Sequence, residues 1–315
     1  MLNRRHLRIK VLQALYAFYQ SEGEDYGKVE KEMLNSLERI FDLYLYLLLT
    51  FSELKSIAEY RMEENKKKMR PSDEELNPNK KWVDNAIIAI LEEHKVIRAQ
   101  CEKRKVNWVG DEHHEMFRKL FMQIRDSETF DSYMNNGEVG FEEDKAFALA
   151  LFKVEIANSP LMYNFFEERS IHWLDDIDLA CAMVLKTIKA FTPEGPNPIM
   201  PLFKDPEDEL DFVKQLMRKT VVFDKENEII IDELTANWEL DRIAKMDIIL
   251  MKMAITELQI FTSIPTKVTL NEYIEISKFY STPKSNGFIN GVLDKAIDRL
   301  TAEGKIKKIG RGLIN

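Results

Sequence analysis

The chain has 315 residues, 45% hydrophobic and 31% charged, with a net charge of −9; this length accommodates two domains, each with its own core, and the acidic balance excludes indiscriminate nucleic-acid binding. Only 11 glycines occur, and apolar residues recur at helical spacing in most segments with few strand signals, so the expected fold is all-α. The longest apolar run, Leu43 to Phe51, is broken by Thr50 and too short to span a bilayer, and Cys101 and Cys181 are lone residues without CxxC pairing; a cytoplasmic protein with no disulfide framework is expected.

The first predicted helix runs from about Asn3 to Gln20, with Leu7, Val11, Leu15 and Phe18 on an apolar stripe. Residues 1–20 carry Arg4, Arg5, Arg8 and Lys10 and no acid, a local charge of +4, and residues 303–315 carry +3, which leaves −16 on the remainder. Basic residues in a first turn oppose the helix macrodipole, at a few tenths of a kcal/mol each, unless an anion is bound there. The same end offers free backbone N–H groups to a phosphate. The bland alternative is a solvated basic face.

Residues 28–65 read as one or two long helices, ending in the Lys66–Lys67–Lys68 run and a polar stretch around Pro71 and Pro78. Further helices are expected near 80–104, 112–125 and 142–157. Asp111-Glu112-His113-His114-Glu115 is metal-like in composition, but adjacent histidines on a helix point about 100° apart and do not share one ion readily; no metal is expected. Cys181 lies between alanines on a helical face and reads as core. Pro193, Pro196, Pro198, Pro201 and Pro206 exclude helix interior and mark a semi-rigid linker. Trp173-Leu174-Asp175-Asp176-Ile177 echoes Trp238-Glu239-Leu240-Asp241-Arg242-Ile243, which reads either as a decayed internal repeat or as chance recurrence.

Residues 271–298 join two amphipathic helices through a short polar loop. Thr269 to Glu272 reads as a capping box opening the first helix, and Ser285 as the N-cap of the second, whose Phe288, Ile289, Val292, Leu293, Ala296, Ile297 and Leu300 recur at 3.6 spacing. Asn290-Gly291 then lies inside a helix, where glycine costs about 1 kcal/mol relative to alanine, so a close backbone approach at Gly291 is expected.

This segment resembles the C-terminal signature of the NusB family of bacterial transcription antitermination factors: Asn271-Glu272 and Ile276-Ser277-Lys278, then Phe288-Ile289-Asn290-Gly291-Val292-Leu293-Asp294. Asn3-Arg4-Arg5-His6-Leu7-Arg8 with Gln13-Ala14-Leu15-Tyr16 is similar to that family's arginine-rich first helix. Trp238, Asp241-Arg242-Ile243, Asp247 and Thr256-Glu257-Leu258 are similar to its long central helix. The resemblance covers about residues 1–20 and 205–302, and the long block between them is a departure. It implies an all-α, NusB-like helical bundle with a large additional helical segment: a basic first helix (1–25), a helical insertion (26–200), a C-terminal core (201–302) and a basic tail (303–315).

The function so implied is noncatalytic: binding of boxA-type single-stranded RNA together with a NusE-like small-subunit ribosomal protein during rRNA transcription, with RNA polymerase engaged indirectly. By position, the resemblance nominates Arg4, Arg5, Arg8, Lys10, Tyr16, Lys284, Ser285 and Phe288 for RNA and Asp247 for the basic protein partner. His6 stands where family members have a third basic residue, and Asn286-Gly287 is less basic than some versions of the loop. Tyr16 and Phe288 are aromatics that stack bases or simply fill a core. No Walker loop, dinucleotide fingerprint, zinc-protease helix or nucleophile elbow is present, so neither catalysis nor a cofactor is expected. The alternatives are a noncatalytic interaction scaffold and an accessory domain related to rRNA cytosine methyltransferases.

Overall fold

The computed structural model describes residues 1–21, 25–235 and 243–313. The described residues form helices and connections with no strand, so the fold is all-α. The chain divides into two compact units: Glu38–Leu202 together with Met1, and Leu2–Leu37 together with Phe203–Asn315.

The second unit contains α1 (Arg4–Gln20), the first residues of α2 (Tyr26–Lys66), α11 (Pro206–Val222), α12 (Asp224–Leu234), α13 (Lys245–Ile260), α14 (Thr266–Tyr280) and α15 (Ser285–Ala302). Its centre is α13, in which Leu250, Met251, Met253, Ala254, Ile255 and Leu258 are all buried. Around it pack α1, α11, α12, α14 and α15. The stripe on α1 is inside, with Leu7, Val11 and Leu15 fully buried; each such side chain stabilises the unit by about 1.5–3 kcal/mol. Asn3 caps α1 by accepting from the His6 amide at 3.0 Å, while the Asn3 amide donates to His6 Nδ1 at 3.4 Å. His6 thereby takes the place of the usual glutamate of a capping box. Asp205 caps α11, whose first turn holds Pro206, Glu207, Asp208 and Glu209, a favourable set at the positive end of the helix.

Two expected helix starts differ. Helix α14 opens four residues early, with Pro265 at the cap, because Thr269 and Glu272 spend their side chains on tertiary partners, Glu257 and Arg5. Helix α15 is preceded by Lys284 at the cap, and the Ser285 hydroxyl donates to Asp247 instead of capping. Of the segment expected to open the central helix, Trp238, Asp241 and Arg242 lie outside the described residues, as does that half of the tryptophan echo, and α13 begins at Lys245.

The first unit holds the remainder of α2, then α3 (Asp73–Leu76), α4 (Ala86–Glu93), α5 (Lys95–Arg104), α6 (Asp111–Arg125), α7 (Glu128–Asn135), α8 (Phe141–Leu151) with a π-helical turn at Phe152–Ile156, α9 (Pro160–Arg169) and α10 (Ile177–Ala190). Its core is aromatic, with Trp82, Trp108, Phe117, Phe147, Phe152, Phe166 and Trp173 buried. The buried indoles of Trp108 and Trp173 donate to the α2 carbonyls of Tyr46 and Arg39, at 3.1 and 3.0 Å. The proline-rich stretch is tied to this unit: Lys145 Nζ donates to the Phe191 carbonyl at 2.9 Å and the Met200 amide to Tyr44 Oη at 3.2 Å. No helix among the described residues is long and apolar enough to cross a membrane.

Candidate nucleic-acid interface

The start of α1 meets the start of α14 and the turn before it at a groove of about 750 Å³, lined by Asn3, Arg4, Arg5, Arg8, Ser263, Pro265 and Glu272 among others. The three arginines reach this groove from the first two turns of one helix, and each is answered by a carboxylate distant in sequence. Arg4 pairs with Asp208 and lies over the Phe212 ring, 4.2 Å from its centroid. Arg4 Nη1 is buried and has no hydrogen-bond partner among the described residues. Arg5 grips Glu272 with two hydrogen bonds, both 2.9 Å, and that bonding raises the Arg5 pKa. The side chains of Arg4 and Arg5 remain 35% and 41% exposed, so neither pair is locked away from solvent and each contributes about 0–1 kcal/mol to stability.

Arg8 differs in kind. Its side chain is 1% exposed and Glu257 opposite is fully buried. Arg8 Nε and Nη2 donate to the two Glu257 oxygens at 2.8 and 2.7 Å, Thr269 Oγ1 donates at 2.8 Å and Tyr273 Oη at 3.0 Å. Burial opposes the charge on Arg8, but Glu257 outweighs it and holds the guanidinium protonated; burial, and then Glu257, pushes the Tyr273 hydroxyl far above its ordinary value. Every acceptor of the carboxylate is used, which is the condition under which a buried pair persists. The solvent-facing role expected of Arg8 is therefore not what the structure places there: its charge is spent inside, clamping α1 onto α13 and α14.

The other nominated residues are dispersed. Lys10 is buried. Tyr16 is exposed and lines a separate cleft of about 240 Å³ with Tyr19, Glu228, Lys245 and Lys252. Lys284 is exposed. Half-buried Phe288 lines a third hollow with Leu234, Thr235, Gly287, Gly291 and Lys295. Ser285 is buried and donates to Asp247 Oδ2 at 2.6 Å, while Ser281 donates to Asp247 Oδ1. Asp247 itself is only 4% exposed. It ties the α14–α15 connection to the first turn of α13, so its carboxylate is not on the surface where a partner contact was expected. The close approach expected at Gly291 is not made among the described residues: outside its own helix backbone, a Cβ there would meet no described atom within 4 Å.

Sequence reasoning missed Asp208, Glu257 and Glu272 as partners of the arginines. Glu257 had a signal, an acid within the apolar run of α13, where a buried carboxylate demands a cation. It also missed Phe279, which is 81% exposed at the end of α14 beside Lys278. In the first unit, His113 is buried with Nδ1 at 2.8 Å from the Val109 carbonyl, and no group of three His, Cys, Asp or Glu side chains among the described residues is placed to hold a metal.

Helices α11 to α15, though not α1, coincide with what the chain is similar to. Residues 199–298 match the model of the NusB family. The transcription antitermination protein NusB of Salinibacter ruber is 45% identical over 115 residues, 36% of this chain and 71% of the relative. Those of Chloroherpeton thalassium and Natranaerobius thermophilus are 38% identical over 105 residues and 35% over 99, covering 50% and 71% of the relatives. Each match involves about a third of this chain, and no solved structure matches at a significant level.

Proposed function

The chain belongs to the NusB family, and from that membership we propose that it is a noncatalytic, RNA-binding transcription antitermination factor. The RNA is a boxA-type single strand and the protein partner a NusE-like ribosomal protein, bound during rRNA transcription in the cytoplasm. The observation that carries this reading is the groove at the start of α1, where Arg4 and Arg5 present part-exposed guanidinium groups and Arg4 Nη1 has no partner among the described residues. A phosphate entering it competes with two surface ion pairs that hold the arginines weakly.

Within this reading Arg4, Arg5 and Lys284 contact phosphates and the rings of Phe288 and Phe279 stack on bases. Arg8 acts through Glu257 as a positioning residue. Lys10 and Ser285, buried, support the helices that present the site, and Tyr16 belongs to a different surface from the groove. Asp247 serves a partner by fixing the 281–285 connection, not by direct contact.

Fluorescence anisotropy with a labelled boxA-type RNA and a scrambled control, each with and without the ribosomal protein, tests this. Preference for the boxA-type strand that strengthens when the protein is added supports the reading; equal, salt-insensitive binding of both strands contradicts it. One observation favours the scaffold alternative: Arg4, Arg5 and Arg8 all have carboxylate partners within the chain. Partner binding without any RNA binding in the same titration would establish that alternative.

A further inference from the structure

The first unit carries a second polar cavity that the family match does not reach. It is a cleft of about 360 Å³ between the start of α6 and one face of α9, lined by Glu112, His113, Asn164, Phe165, Glu168 and Arg169 among others. His113 is 5% exposed. Its ring is held edge-on against Trp108 at 5.6 Å and Phe165 at 5.3 Å between centroids. Its Nδ1 is 2.8 Å from the Val109 carbonyl oxygen. A carbonyl only accepts, so Nδ1 bears a hydrogen, and in the neutral ring Nε2 is the acceptor. That Nε2 is buried without a hydrogen-bond partner among the described residues. The nearest charged atom is Glu112 Oε1 at 3.5 Å, a second acceptor facing the first.

Two acceptors that face each other across a cavity are reconciled by a donor between them. We propose that this cleft binds a primary ammonium group, with one N–H directed to His113 Nε2, one to the Glu112 carboxylate, and the third to Glu168 or the Asn164 amide oxygen. An anion is disfavoured by Glu112, Glu168 and the imidazole lone pair. A hydroxyl has one donor and leaves the carboxylates unanswered. No third metal-ligating side chain joins His113 and Glu112 among the described residues. Arg169, the cation on the rim, is engaged elsewhere: it donates to Tyr46 Oη at 3.1 Å and lies over the rings of Tyr46 and Phe165. The ammonium group comes from a free polyamine or from a lysine side chain of a bound protein.

The test uses the full chain with ¹⁵N-labelled histidine imidazoles, the His113 resonance being assigned with His113→Gln. Methylammonium should shift His113 Nε2 saturably, and tetramethylammonium, equal in charge but without an N–H, should not. Glu112→Gln combined with Glu168→Gln changes two exposed side chains, leaves the helical circular dichroism unchanged, and should weaken methylammonium binding several-fold to about tenfold. Spermidine binding more tightly than a short lysine peptide identifies the free amine as the source; the reverse order identifies a protein lysine. An Nε2 resonance indifferent to methylammonium, an equal response to tetramethylammonium, or undiminished affinity in the double variant overturns the proposal and assigns the cleft to solvent.

Discussion

His6 shows how one residue departs from its family's pattern for a local reason. Burial, then the nearby N-terminus, Arg5 and Lys10, lowers its pKa from 6.5 to about 4, and its neutral Nδ1 accepts the Asn3 amide in the cap. A folded-state pKa below the unfolded one means that the unfolded chain binds the proton first. The stabilisation is therefore complete above pH 6.5 and is lost as pH falls toward 4. For this half-buried group it amounts to the order of 1 kcal/mol after solvent screening. His6→Gln keeps a capping-box acceptor; urea unfolding in that window should show a shallower loss of stability than wild type, with little difference at neutral pH. The Arg8–Glu257 pair makes a larger prediction: Arg8→Ala strands a buried carboxylate and should cost about 3–5 kcal/mol in urea unfolding, part of which returns in Arg8→Met combined with Glu257→Leu. Asp247→Ala leaves the Ser281 and Ser285 hydroxyls without their acceptor and should cost about 1–3 kcal/mol, with faster amide exchange at residues 281–285. A surface carboxylate would show neither effect.

At the level of elements, α1, α14 and α15 were legible because their apolar periodicity coincides with their burial, whereas α13, buried continuously from Ile249 to Leu258, was read from the resemblance. Their exact starts were less so. Thr269, Glu272 and Ser285 look like caps by type and spacing, yet each gives its side chain to a residue that only the tertiary fold brings near. Gly291 reverses an expectation in the same way. Glycine in a helix interior pointed to a close neighbour, but no described residue comes near on the face shared with Gly287, Phe288 and Lys295. Gly291→Ala should therefore raise stability by about 1 kcal/mol in thermal or urea unfolding. A loss of stability would mean that another segment packs there.

For the whole molecule, the all-α class followed from helical spacing and scarce glycine, and the family from three short motifs at the two ends of the chain. What spacing did not reveal is how the basic helix is neutralised. Arg4–Asp208, Arg5–Glu272 and Arg8–Glu257 join residues 204, 267 and 249 positions apart, a distance over which sequence alone says nothing about pairing. The acid-free first helix therefore looked like free positive charge, whereas the fold sets each of its arginines against a carboxylate and buries one of them. The first unit, with its aromatic core and cleft at His113, lies outside the family match at residues 199–298 except for its last four residues, so only its helical periodicity was readable.

In the proposed RNA site, Arg4 and Arg5 bind phosphate despite their internal partners. The most direct test is the salt dependence of boxA-type RNA affinity for the full chain and for Arg4→Ala combined with Arg5→Ala. With Arg4, Arg5 and Lys284 as contacts, log affinity against log salt should fall with a slope of about −2, and the double variant should be shallower by about 1.4, with unchanged circular dichroism. Equal affinity and equal slope for the two proteins would contradict the claim.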